Sequence, residues 1–237
     1  MIEQKQIETT ASEEKIRALV TPKLHDTILE LINRYVAKGT EILDLGCGEG
    51  DFSRRLLDDN YRAIAVDGYN LYWRNPQIPL RIANFDSEFA ATVSPDGKRY
   101  DAIAAIEIIE HVENPFLFLR ECYKLLNPNG LLFLTSPNVE SITSRIVFLY
   151  TGRLKAFGET ETLRLAHITP IFKWKVDLAF KEIGFEYVWE GFNQNSFHVG
   201  DRPHNKLGSL AARLLRPFVK GDKDGENRIV VARRGGE

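Results

Sequence analysis

Cysteine is scarce, with only Cys47 and Cys122 in 237 residues. Two cysteines cannot build a disulfide framework or a four-cysteine zinc site. Both fall in predicted core elements, which points to a reducing compartment. An excess of one charge is missing too. Lys and Arg number 31 against 33 Asp and Glu, a formal net charge of −2. That balance gives no global attraction to nucleic acid. No apolar run reaches the length of a membrane span. The opening MIEQKQIETTASEEK has no apolar signal core. Repeats, low-complexity tracts and a strong interdomain linker are also lacking. Together these absences lead us to expect a cytoplasmic protein with one globular α/β domain over residues 21–237, preceded by a mobile segment, 1–20.

What is present is organised around Glu41 to Phe52, EILDLGCGEGDF. An apolar run leads to Asp44, then Gly46, Gly48 and Gly50 alternate, and Phe52, Leu56 and Leu57 recur at helical spacing. The pattern reads as a buried strand, a tight turn and a helix. Glycines let the backbone turn sharply and remove the Cβ atoms that would block a ligand. The helix N-terminus attracts electron-rich ligand atoms. In a dinucleotide fingerprint, G-x-G-x-x-G, the third glycine stands one place later, where this chain has Asp51. Asp44 at the mouth of the strand would repel a pyrophosphate but suits an ammonium group.

This stretch resembles motif I of the class I S-adenosylmethionine-dependent methyltransferases. The resemblance assigns Asp44 to the methionine moiety and Gly46, Cys47 and Gly48 to close backbone approach. A second strand, Arg62–Val66, ends at Asp67, where nucleotide-binding α/β units place an acid for ribose hydroxyls. Gly68 and Tyr69 follow, with Tyr69 placed to lie against adenine. Leu80–Ala83 reads as a third strand. The resemblance puts Asn84 and Phe85, at its end, on the adenine edge. Tyr100–Ile106 is a nearly all-apolar fourth strand, as a central parallel strand should be, and Ile106 at its end joins the cofactor-binding set. IEIIEHVENP, which begins at Ile106, is similar to the same region of ubiquinone-biosynthesis O-methyltransferases and of small-molecule and glycan methyltransferases. The implied fold is a single Rossmann-like domain of seven strands, order 3-2-1-4-5-7-6, strand 7 antiparallel, with helices on both faces.

Further expectations concern boundaries. Thr21-Pro22 reads as an N-cap and first-turn proline, Asn127–Gly130 as a turn, and Thr169-Pro170 as the start of a helix ending at Gly184. His25 reads as a surface or packing histidine. Residues 139–169 are too long for a simple connection and read as a substrate lid containing a helix, Ile142–Tyr150. Residues 202–223 form a basic amphipathic insertion. Within it Leu207, Leu210, Leu214 and Phe218 share one helical stripe, and Lys206, Arg213 and Lys220 fall on the other side. It reads either as a surface helix packed on the sheet edge or as a peripheral membrane contact through 205–220.

Glu107, Glu110 and His111 allow three readings. His111 can act as general base toward a substrate hydroxyl, with the two glutamates near the chemistry. Glu107, Glu110, His111 and the later His167 can hold a cation, since carboxylate and imidazole ligands suit Mg2+, Mn2+ or iron. That set is similar to the one in small-RNA 2′-O-methyltransferases. In the third reading the cluster is structural: Glu107 buttresses the cofactor loop and Glu110 is a solvated helix charge. The functions that follow are O-methylation of a small molecule, sugar or lipid-linked glycan, RNA 2′-O-methylation, or a non-catalytic S-adenosylmethionine-binding module.

Overall fold

The computed structural model describes residues 16, 20–164, 166–194 and 203–236. Apart from Ile16 and Val20, the segment expected to be mobile, 1–20, lies outside them, as does the start of the basic insertion at 202. In chain order the elements are α1 (Leu24–Tyr35), β1 (Glu41–Leu45), α2 (Asp51–Asp58), β2 (Arg62–Asp67), β3 (Leu80–Ile82), α3 (Ala90–Val93), β4 (Tyr100–Ala105), α4 (Pro115–Leu125), β5 (Leu126–Pro137), α5 (Ile142–Thr151), α6 (Glu159–Arg164), α7 (Lys173–Ile183), β6 (Phe185–Asn193), α8 (Pro203–Leu215) and β7 (Asn227–Arg234).

The strands form one sheet in the order β3-β2-β1-β4-β5-β7-β6. β1 to β5 pair in parallel, and β7 runs antiparallel to both β5 and β6. The expected order and the antiparallel strand 7 are therefore both observed. Because side chains alternate along a strand, the continuous apolar runs feed two cores. Leu43, Leu45, Ile103 and Ala105 face one, with Phe118 of α4 and Phe180 of α7. Ile42, Ala102 and Ala104 face the other, with Ile28 of α1 and Leu56 of α2. Among the described residues no helix is long and apolar enough to cross a membrane.

Several boundaries differ from expectation. α1 starts at Leu24 behind Lys23, which takes a left-handed φ of 66°, so Thr21 is not its cap. α7 starts at Lys173, not Pro170. The Thr169 hydroxyl donates to Val112 O, and its N–H to Glu110 O, so this residue ties the end of segment 139–169 to the loop after β4. Asn127–Gly130 is absorbed into β5, where a bulge opposite Tyr100 and Ala102 takes up the turn and Asn129 adopts φ 65°.

The antiparallel end is fastened by Arg228, which is nearly inaccessible. Its Nη2 donates to Glu140 Oε2 and Asp222 Oδ2, each at 2.9 Å, and its Nη1 bonds Glu190. Beside it the buried Asn138 donates from Nδ2 to Asp222 O at 3.0 Å and Asp224 O at 2.7 Å. These contacts bind the approach to β7 to the loop that precedes α5.

Candidate active site

The turn after β1 opens a cavity of about 1100 Å3 along the carboxyl ends of the parallel strands. This is the crevice where open α/β sheets take ligands. The cavity is lined by Asp44, Gly46, Cys47, Gly48, Asp67, Gly68, Tyr69, Asn84, Phe85 and Ile106, the whole set expected to bind the cofactor. Glu107, His111, Asn138, Lys155, His167 and Asn227 line the same cavity.

The glycine turn is built by left-handed backbone: φ is 79° at Gly46, 54° at Gly48 and 96° at Gly50. A Cβ on Gly46 would sit 2.8 Å from the Ile108 side chain, so this glycine admits Ile108. A Cβ on Gly50 would meet the Trp73 ring at 2.8 Å. The Gly48 N–H donates to Asp67 Oδ2 at 2.9 Å, and the Tyr69 N–H to Oδ1 at 3.3 Å. Asp67 is thus aimed into the cavity by the two loops it joins.

Asp44 is buried and accepts a hydrogen bond from Ser53 Oγ at 2.5 Å. Burial raises its pKa to about 6, against the lowering effects of Ser53 and of nearby His25. His25 is not a surface residue. It lines the cavity, its Nδ1 lies 2.8 Å from Asp51 Oδ2, and its ring packs against Phe52. Phe85 is mainly a core residue, edge-on to Phe89 and Phe118, with one side left to the cavity. Asn84 is exposed at the rim, its Oδ1 accepting from the Asp86 N–H at 3.0 Å.

Glu107 takes φ 50°, a strained value for a residue with a side chain. Its N–H donates to Thr135 Oγ1 at 2.9 Å, and Thr135 Oγ1 donates back to Oε1 at 2.8 Å. Asn227 Nδ2 donates to Oε2 at 2.7 Å. These contacts hold the carboxylate in place, while burial lifts its pKa to about 7.

Glu110 is the correction to the solvated-charge reading, because its side chain is fully inaccessible. Neither carboxylate oxygen has a hydrogen-bond partner among the described residues. Burial, with the Glu107 charge added, raises its pKa well above the usual carboxylate range. Ligand atoms of Glu110, His111 and His167 lie within 4.8 Å of one another. Glu107, expected as a fourth ligand, does not join that group, because Thr135 and Asn227 hold it. The His111 and His167 rings meet edge-on at 4.7 Å, and His167 Nδ1 is 2.8 Å from Ala156 O.

Sequence patterns gave no site role to Ser53, Thr135, Asn138, Lys155, Glu226 or Asn227. Ser53 lies in the first turn of α2 and reaches back to Asp44, and the others reach the cavity or a site carboxylate from elements well apart in the chain. Asn227, which opens β7, had only its place opposite the end of β5 as a signal.

A family profile described as "Methyltransferase domain" matches residues 17–190. A ubiquinone biosynthesis O-methyltransferase of Azorhizobium caulinodans is 32% identical over 117 residues, covering 46% of this chain and 46% of that protein. The mitochondrial enzyme of that description from Rattus norvegicus is 28% identical over 149 residues, covering 57% of this chain and 43% of that protein. The chain thus spans less than half the length of these two relatives. A solved structure from Archaeoglobus fulgidus, described as a SAM-dependent methyltransferase, superposes with TM-score 0.61 at 16% identity. It covers 89% of this chain and 94% of that one, and shows the shared fold. With the profile covering most of the chain and the sheet order as described, the protein belongs to the class I S-adenosylmethionine-dependent methyltransferases.

Proposed function

We propose that this enzyme O-methylates a hydroxylated small molecule, a sugar or a lipid-linked glycan. The observation that carries the reading is the polar lining of the cavity outside the cofactor set. There His111, His167, Lys155, Glu226 and Asn138 offer polar groups to an acceptor. A cavity of about 1100 Å3 exceeds the ~300–1,000 Å3 of a typical single-ligand site, leaving room for donor and acceptor together. The ubiquinone O-methyltransferase relatives point in the same direction.

S-adenosylmethionine supplies a sulfonium methyl group. Asp44 would hold its ammonium group and Asp67 its ribose hydroxyls. His111 accepts the acceptor's hydroxyl proton as the O–C bond forms and the C–S pair returns to sulfur. Glu107, fixed by Thr135 and Asn227, orients the acceptor, so the chain chiefly aligns the two reactants. Incubating the enzyme with methyl-labelled cofactor and fractionated metabolites, glycolipids and RNA is the test. The expected product is an alkali-stable methyl ether on a non-nucleic acceptor. Label found only in RNA, or only as an N- or C-methyl product, overturns the reading.

Two expectations follow for the cofactor. Asp67→Ala removes the hydrogen bonds that hold the glycine turn as well as those to the ribose. Losing charged hydrogen bonds costs about 1.5–3 kcal/mol, so calorimetry should show cofactor affinity weaker by about 10–150-fold. Unchanged affinity would remove the ribose assignment. Asp44 gives a pH signature. Its carboxyl is protonated below about pH 6 in the free enzyme, and binding an ammonium favours the ionised form. Affinity should fall as pH drops below 6, approaching about tenfold per unit, and level off above 7. Calorimetry in buffers of different ionisation enthalpy should detect proton release near pH 5. Asp44→Asn should abolish that release; a pH-independent affinity in the wild type counts against the ammonium contact.

The orphaned Glu110 carboxylate favours a second reading, a bound cation. One carboxylate and two imidazoles suit zinc, iron or manganese better than magnesium, which prefers oxygen ligands. The His167 Nδ1 contact with a backbone carbonyl is the outer support that metal-binding histidines use. Glu110, His111 and His167 would hold the ion, which would polarise the acceptor oxygen. Under this reading a chelator abolishes activity, added metal restores it, and His167→Ala lowers metal content while sparing cofactor affinity. Full turnover in chelator, with no metal found by elemental analysis, would leave the base mechanism alone.

A further inference from the structure

α8 is the helix expected either to pack on the sheet edge or to meet a membrane. It packs on α5, not on the sheet edge. Ala211 and Ala212 of α8 cluster with Ile142 and Ile146 of α5 and with Val219. Its large apolar side chains are left outside: Leu207 is 69% exposed, Leu210 51%, Leu214 64%, and Phe218 just beyond it 82%. α5 does the same at its far end, where Leu149 is 81% exposed and Phe148 53%. Single exposed leucines are ordinary, but six large apolar groups on one helix pair are not.

The charge around them is one-sided. Residues 142–158 and 203–220 contain no Asp or Glu, but hold Arg145, Arg153, Lys155, Lys206, Arg213, Arg216 and Lys220. Two of these cations are matched by acids from the approach to β7: Lys155 Nζ donates to Glu226 Oε1 at 2.8 Å, and Arg216 is paired with Asp224 at 2.8 and 2.9 Å. Lys206, Arg213 and Lys220 extend into solvent. α5 is also bracketed by the cavity: Asn138 and Ser141 line it just before the helix, Lys155 and Ala156 just after.

From exposed apolar side chains, the solvent-facing Lys206, Arg213 and Lys220 and this continuity with the cavity, we propose that the α5–α8 pair is a docking face for an anionic lipid surface. The apolar side chains enter the headgroup boundary and the basic groups meet lipid phosphates, as on an interfacial amphipathic helix. The enzyme would then meet its acceptor at the bilayer surface. The inference does not depend on which atom is methylated.

The test is co-sedimentation of the full chain with phosphatidylcholine vesicles, with and without phosphatidylglycerol. The wild type should pellet with the anionic vesicles at low salt, be released by added salt, and stay largely in solution with phosphatidylcholine alone. Leu210→Glu with Leu214→Glu should reduce pelleting about tenfold or more, leaving the circular dichroism spectrum and cofactor affinity unchanged. Phe218→Ser is a second, milder variant that should reduce it in the same direction. A wild type that stays in solution with anionic vesicles overturns the proposal. So does a double variant that is folded yet pellets equally. If light scattering shows a dimer that the double variant dissociates, and neither form pellets, the face is covered by a second copy and the lipid assignment is wrong.

Discussion

His111→Ala is expected to lower kcat by about 10²–10⁴-fold, the range for removing a positioned general base, with cofactor affinity kept within about twofold. His111 closes the 3₁₀ turn Ile109–His111 that follows β4, so its ring is placed by the central strand rather than by a mobile loop. His167 lies edge-on against that ring and is itself anchored on Ala156 O. His167→Phe should keep the ring packing and lose far less activity if His111 works as a base. It should lose as much as His111→Ala if the two imidazoles share a cation. Added imidazole should partly restore turnover in His111→Ala, and under the base mechanism that rescue should persist in chelator. A wild-type kcat in His111→Ala would place proton removal on another group. An equal fall in cofactor affinity would mean that the ring supports the site's shape, not the chemistry.

The parts of this site legible in the sequence are those set by local backbone. Alternating glycines can be read because φ of 54° to 96° at Gly46, Gly48 and Gly50 suits glycine. Asp44 and Asp67 can be read because each stands at the end of an apolar strand, a place that topology turns into the rim of the crevice. The sheet order came from the resemblance to the methyltransferases, and the strands pair as it implied. What was not legible depends on contacts between distant elements. His25 reaches Asp51 across the α1–α2 packing. Thr135 and Asn227 meet on Glu107 only because β5 and β7 are antiparallel neighbours. Glu110 looks like a solvent charge in E-x-x-E-H. It is buried where the end of segment 139–169 returns to it, with the Ile168 and Thr169 N–H groups on its carbonyl at 3.1 and 3.0 Å. The same tether explains why Thr169 does not start α7. The stripe on α8 was correctly periodic, but periodicity cannot say which face packs. Here the small residues do.

Arg228→Leu should lower stability by about 2–4 kcal/mol. Breaking a buried ion pair costs about 3–5 kcal/mol, reduced here because the three carboxylate partners remain partly open to water. The Arg228 side chain is 3% exposed, and its removal leaves Glu140, Glu190 and Asp222 with Lys173, 3.7 Å from Glu190, as a neighbouring cation. For a chain of this size about 1 kcal/mol moves Tm by 2–4 °C, so a fall of about 4–16 °C is expected by calorimetry. Arg228→Lys should recover little, because one ammonium cannot reproduce a planar fork reaching three acceptors. The loss should also reach the cavity. Asp222 and Glu140 are the points where the approach to β7 and the entry to α5 are fastened, and Asn227, next to Arg228, holds the Glu107 carboxylate. Acceptor turnover measured well below the new Tm should therefore drop more than cofactor affinity does. A Tm within about 1 °C of wild type would mean that water already satisfies the three carboxylates and that Arg228 is not the fastening of this end of the sheet.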